Sequence, residues 1–230
     1  AYIIRRAVFA LPPVDRNRIF SALLLIALST LFWAMLEQSG STLTLFTERF
    51  VDRRLFGWNV ATPLFQSVNP ILIVALSPLV IMIWSALAKR QIEPSAPFKF
   101  GIGLLLLGAA FLVLVSGATM TGSPKIPVAF ILALYCLFAI GELCFSPVGL
   151  SAMTRLSIPS MTGLMIGTWF LANAAGNFLA GSIAQMIGSR ATSANDYTLY
   201  FGMIACFAFV SGIVLLIVSP LLRKLSAGLT

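Results

Sequence analysis

Histidine is absent from the chain. Without the side chain that titrates near neutral pH and most often holds metals, any proton chemistry falls to carboxylates. Charge is scarce as well. Asp, Glu, Lys and Arg make up 10% of the 230 residues, where a soluble domain carries roughly a quarter. With 59% hydrophobic residues and a mean hydropathy of +0.99, that scarcity excludes disorder and any soluble globule, soluble enzymes included. The three cysteines, Cys136, Cys144 and Cys206, form an odd set inside apolar runs. They read as small buried hydrophobes, so neither a disulfide framework nor a metal site is expected. No G-x-x-x-x-G-K-[ST] occurs, which removes the nucleotide site of an ATP-driven pump. No short apolar core followed by a small-residue cleavage site is present, and no signal peptide is expected.

What the chain does have is apolar length. Six stretches are long enough to cross a bilayer: Ile19–Thr47, Leu64–Leu87, Phe98–Thr119, Ile126–Thr154, Met161–Ile187 and Tyr197–Leu222. They lack the short alternation of a membrane barrel, so the expected fold is all-α integral membrane, a bundle of six transmembrane helices. Residues 1–17 read as a cytoplasmic lead-in, 18–225 as the bundle and 226–230 as a cytoplasmic tail. Leu11-Pro12-Pro13 breaks any continuous helix into the first span. The net charge of +8 lies between the apolar runs and not on one stripe. Lipid headgroups and orientation explain it, and no nucleic-acid partner is expected. Ten basic residues (Arg5, Arg6, Arg16, Arg18, Lys89, Arg90, Lys99, Arg155, Arg223, Lys224) fall on one side and five (Arg49, Arg53, Arg54, Lys125, Arg190) on the other. The positive-inside rule then places both termini in the cytoplasm.

Several features exceed the needs of a lipid anchor. Gly163 and Gly167 form a G-x-x-x-G, and Ala172, Gly176 and Ala180 continue small residues at four-residue spacing, so the fifth span is expected to pack inside the bundle. Pro70, Pro78 and Pro147 are expected to free carbonyls within the membrane.

Two carboxylates, Glu37 and Glu142, sit inside predicted spans. A charge at a span centre costs about 2.5–3.5 kcal/mol on insertion scales, so such residues point to function; the alternative is a protonated, hydrogen-bonded packing group. Gln38 and Ser41 extend a polar face beside Glu37, and Ser146 lies one turn after Glu142, just before Pro147. Gln66, Ser67 and Asn69 precede Pro70, and Trp169, Asn173 and Asn177 share four-residue spacing. Four helices thus offer polar or aromatic groups to one aqueous cavity, with Trp169 as a pocket wall. Lys125 and Arg155 lie at span ends, so no buried cation is expected. Such a site suits an ammonium group or a proton better than an anion.

Three stretches carry a resemblance to a known family. Phe32-Trp33-Ala34-Met35-Leu36-Glu37-Gln38-Ser39-Gly40-Ser41 resembles the seventh transmembrane helix of the proton-dependent oligopeptide transporters. Gln66-Ser67-Val68-Asn69-Pro70 resembles their eighth, and Gly141-Glu142-Leu143-Cys144-Phe145-Ser146-Pro147-Val148-Gly149-Leu150 their tenth. The resemblance implies the C-terminal bundle of a major-facilitator transporter. The first-bundle signature E-x-x-E-R-F-x-Y-Y is absent, so an N-terminal six-helix bundle is an expected partner. It further implies proton-coupled symport of di- and tripeptides across a bacterial inner membrane, with a proton gradient as the energy source and no cofactor. Glu37 matches the proton-coupling acid, Glu142 the acid facing the peptide amino terminus, Asn69 an amide near that end, Ser146 a pocket-lining position and Trp169 an aromatic wall. Two other readings stand beside it: a carrier of the same fold for another small substrate, and a non-transporting membrane scaffold.

Overall fold

The computed structural model describes residues 2–55, 57–120, 125–191 and 193–225. A backbone in hydrocarbon must satisfy its own hydrogen bonds, and nearly all of this one does so in helices. These are α1 (Tyr2–Ala10), α2 (Pro13–Leu36), α3 (Thr42–Phe50), α4 (Val68–Lys89), α5 (Ala96–Met120), α6 (Val128–Leu156), α7 (Thr162–Arg190) and α8 (Ala194–Leu225). Among the described residues, five helical segments are long and apolar enough to cross a membrane: Pro13–Phe50, Thr62–Lys89, Ala96–Thr119, Val128–Leu156 and Ala194–Leu225. The sixth expected span is α7, whose 29 residues suffice in length but include Asn173, Asn177 and Gln185, which lower its hydropathy.

Pro12 is extended (φ −62°, ψ 156°) and separates α1 from α2, which starts at Pro13, inside the segment read as lead-in. Proline is at home in a first helical turn, where its missing N–H is no loss. The same holds for Pro70. It lies in the first turn of α4, after a 3₁₀ segment over Thr62–Ser67. Pro78, Pro147 and Pro220 are interior to α4, α6 and α8. The expected tail, 226–230, lies outside the described residues.

The first span is not one helix. α2 stops at Leu36, Glu37–Gly40 form a 3₁₀ turn, and Ser41 (φ −127°, ψ −94°) leaves helical geometry before α3 begins. Ser39, Gly40 and Ser41 are weak helix formers. Their neighbours' hydroxyls take the carbonyls released there: Ser41 Oγ donates to Glu37 O (3.3 Å) and Thr44 Oγ1 to Ser39 O (2.8 Å).

Within the bundle α2 packs on α7, and α5 is held between α6 and α8, with α4 laid against α6. An aromatic column fills the interior: Phe32 stacks on Phe145 with centroids 3.9 Å apart, and Phe145 lies 4.0 Å from Phe100. Further along, Phe111 stacks on Phe201 at 5.6 Å. At that end two short pairings tie the loops. β1 (Val51–Asp52) runs parallel to β4 (Ile126–Pro127), with Val51 opposite Ile126. β2 (Arg54–Leu55) turns back on β3 (Trp58–Asn59), with Leu55 opposite Trp58.

The small-residue pattern of α7 is only partly used. A Cβ on Gly176 would stand 2.6 Å from Trp33 Cβ and 2.8 Å from Thr30 O, so this glycine permits the α2–α7 approach, with Ala172 and Ala180 buried on the same face. Gly163 and Gly167 have nothing within 4 Å of such an atom, and the G-x-x-x-G makes no packing seam in this chain.

Candidate functional site

Three helices bring the acidic groups together. Glu37 occupies the first residue of the 3₁₀ turn after α2 and is half-buried. Glu142 lies mid-way along α6, also half-buried. Phe32, in the helix that Glu37 ends, stacks on Phe145, three residues after Glu142, so the two acids stand on helices in contact. Asn69, in the first turn of α4, donates from Nδ2 to Glu142 Oε2 at 3.0 Å. Its Oδ1 is buried with no hydrogen-bond partner among the described residues. One amide therefore braces the acid and leaves a dry acceptor beside it, an arrangement suited to a donor-rich cationic group. Gln66 Nε2 donates to Thr44 Oγ1 at 3.0 Å and continues the polar lining from α3 toward α4.

Ser146 follows one turn after Glu142 and is half-buried. The next residue, Pro147, has no N–H to offer the carbonyl of Leu143 within α6, which locally loosens the helix beside the serine. Trp169 is 3% exposed. Its indole stacks on Phe145 at 6.1 Å, meets Phe100 edge-on at 5.9 Å, and lies over Gly149, where a Cβ would overlap the ring. It is wedged from α7 against α6 and the start of α5. Asn173 and Asn177 bond to each other, Nδ2 of Asn177 to Oδ1 of Asn173 at 2.9 Å, along an exposed face of α7.

Two residues escaped the sequence reading. No buried cation is expected from the sequence, where Lys99 opens the third span on the more basic side, yet Lys99 is 6% exposed in the first turn of α5. Its Nζ lies 2.6 Å from Glu93 Oε1 and 4.7 Å from the centre of the Trp84 ring. The expectation fails because the partners come from the preceding loop and from α4, and only the fold assembles them. Gln38, read as part of a polar face, is wholly buried: Nε2 donates to Ala34 O (3.0 Å) and Ala180 O (3.3 Å), and Oε1 accepts from Thr42 Oγ1 (2.7 Å). Its signal in the sequence was adjacency to Glu37.

Residues 5–200 match the model of the POT family. Among curated relatives, the peptide transporter YePEPT of Yersinia enterocolitica is 31% identical over 92% of this chain and 42% of its own length. The dipeptide and tripeptide permease A of Proteus mirabilis is 29% identical over 97% of this chain and 47% of its own. Among solved structures, a peptide transporter POT mutant in complex with alafosfalin superposes with a TM-score of 0.87 at 29% identity, over 97% of this chain and 45% of that one. A POT family transporter in complex with 5-aminolevulinic acid gives 0.85 at 29% identity, covering 96% and 45%. The chain spans less than half the length of these curated relatives, and the part it matches has the helical bundle described above. It belongs to the POT family, the proton-dependent oligopeptide transporters that its seventh-, eighth- and tenth-helix stretches resemble.

Proposed function

We propose that this chain is the C-terminal half of a proton-coupled di- and tripeptide symporter of a bacterial inner membrane, working by alternating access against an N-terminal six-helix bundle. The observation that carries this reading is Asn69 held on Glu142 with its own acceptor unpaired, next to a second acid at a helix break. Glu142 and Asn69 would receive the peptide ammonium. Ser146 lines the pocket one turn on, and Trp169 backs it as the aromatic wall. Glu37 carries the coupling proton, since the break gives its carboxyl freedom that a continuous helix would deny. A proton moved across 100 mV supplies about 2.3 kcal/mol, enough to concentrate a peptide roughly fiftyfold. Both termini face the cytoplasm and the outer face of the bundle meets lipid, in keeping with the ten-to-five division of basic residues.

The reading of an anion carrier loses support from Lys99, because Glu93 already neutralises the one buried lysine. The test uses proteoliposomes holding the complete transporter and labelled dialanine, with and without an inward proton gradient. Glu37→Gln is expected to abolish gradient-driven uptake while peptide counterflow persists. Uptake indifferent to the gradient in the unmodified protein would overturn the symport reading. A folded protein that takes up no peptide would favour another substrate or a scaffold.

A further inference from the structure

The chain turns round at one end of the bundle through residues 51–61, between two segments long enough to cross the membrane, Pro13–Phe50 and Thr62–Lys89. Within this connection β2 and β3 form a hairpin with two unlike faces. Leu55 pairs with Trp58, and Arg54 with Asn59. Residues directly opposite each other share a face and successive residues alternate, so Leu55 and Trp58 stand on one face and Arg54 and Asn59 on the other. Gly57 closes the turn with φ +84°, a conformation that glycine adopts without strain. The root of the hairpin is fixed. Arg53 Nη1 donates to Thr62 Oγ1 at 2.8 Å and to Val60 O at 3.4 Å, and Val60 N donates to Arg53 O at 3.1 Å. Thr62 is itself buried at the start of the 3₁₀ segment, and Val51 pairs with Ile126. At the end of this braced arm Trp58 is 80% exposed, whereas Trp33 and Trp169 are buried and Trp84 is half-buried.

We infer that this hairpin is a membrane-surface anchor, its Leu55 and Trp58 face seated in the headgroup layer of the lipid bilayer and its Arg54 and Asn59 face turned to water. The hairpin joins the ends of two spans, so its root lies at the level where hydrocarbon gives way to headgroups. An indole has an apolar body and a single N–H, which is why tryptophan collects in that layer. The stretch 51–61 carries two arginines against one aspartate, a balance that suits lipid phosphates. Because Arg53 already orders the arm, contact with lipid costs it little further freedom. An arm ending in water would gain nothing from holding an indole in place. The inference is independent of the substrate proposed above, and no transport enters its test.

The complete transporter is placed in lipid nanodiscs, where both membrane surfaces are open to water, and its tryptophan emission is compared with that of Trp58→Phe. The difference is the Trp58 component. Three quenchers report its surroundings: phosphatidylcholine brominated high in its acyl chains, phosphatidylcholine brominated near the chain ends, and aqueous iodide. The Trp58 component is expected to lose most emission to the first, less to the second and little to iodide. Leu55→Ser, on the same face, should weaken the quenching by lipid, and Asn59→Ser, on the other, should leave it unchanged. Strong quenching by iodide without quenching by lipid would put the hairpin in water and overturn the inference. Protection from all three would overturn it too, since Trp58 would then be covered by protein, the N-terminal bundle included. Equal effects of Leu55→Ser and Asn59→Ser would overturn the assignment of the lipid-facing side.

Discussion

Gln38 Nε2 donates to the carbonyl of Ala180 at 3.3 Å, joining the break in the first span to the middle of α7. The same amide holds Ala34 O on one side of the break and Thr42 Oγ1 on the other. Three elements therefore meet on one buried side chain, and Glu37 is its immediate neighbour in the chain. The place of the proposed proton carrier is set by a residue that does not titrate.

Gln38→Leu removes this clamp without changing side-chain volume much. Interhelical hydrogen bonds in membranes contribute about 0.6 kcal/mol on average, and a buried group left unpaired costs more, so a loss of about 1–2 kcal/mol is expected. Thermal unfolding in detergent, followed by size-exclusion fluorescence, measures it. Because the slackened turn carries Glu37, gradient-driven uptake should fall further than counterflow. Equal losses in both would mean that Gln38 stabilises the bundle and does not position the acid.

Asn69 is expected to act on affinity. Asn69→Ala takes away the buried acceptor Oδ1 and the donor that braces Glu142. A hydrogen bond to a charged group is worth about 1.5–3 kcal/mol, so KM for dialanine should rise at least about tenfold with a smaller change in maximal rate. Initial-rate uptake over a range of peptide concentrations separates the two. A change confined to maximal rate would remove Asn69 from the ground-state site.

The spans were legible because apolar length is a property of contiguous residues: five of the six stretches correspond to segments that meet both length and hydropathy, and α7 meets the first. The acids were legible for the same reason, since an ionisable group inside an apolar run stands out without any knowledge of the fold. What the sequence concealed depends on partners far away in the chain. The break at Glu37–Gly40 lies in a run with no proline; Ser39, Gly40 and Ser41 weaken the helix there, and Gln38 reaching α7 ties the turn in place. Lys99 stood only as one of the basic residues of one side, and its burial was hidden because Trp84, which closes over it, belongs to α4. The two small-residue patterns of α7 looked alike, yet Gly176 meets Trp33 whereas Gly163 and Gly167 face open space. Spacing shows that a helix can be approached closely, and only the bundle decides where.

That difference between glycines is measurable. Gly176→Val forces atoms into the space of Trp33 and the Thr30 carbonyl, and overpacking of this kind costs about 1–3 kcal/mol. Gly163→Ala adds a methyl group to open space and should stay within about 0.5 kcal/mol of the unmodified protein. Thermal unfolding of the two variants side by side gives the comparison. Equal destabilisation would mean that the α2–α7 approach does not set Gly176 apart, since helix propensity favours both replacements over glycine.

The Lys99–Glu93 pair predicts an asymmetry. The Lys99 side chain is 8% exposed and that of Glu93 is 41% exposed, so water can solvate the acid alone but not the ammonium. Lys99→Met should then be the milder change, losing the cation over Trp84, an interaction of about 0.5–2 kcal/mol, while Glu93 turns to solvent. Glu93→Gln strands a buried charge and should cost more, toward the about 3–5 kcal/mol seen when one partner of a buried pair is removed. The double variant Lys99→Met/Glu93→Gln should recover most of that loss, because no unpaired charge is left inside. Unfolding midpoints of all four proteins close the cycle. If Lys99→Met proves the more damaging single change, the pair owes its worth to packing against Trp84 and not to neutralising a buried cation.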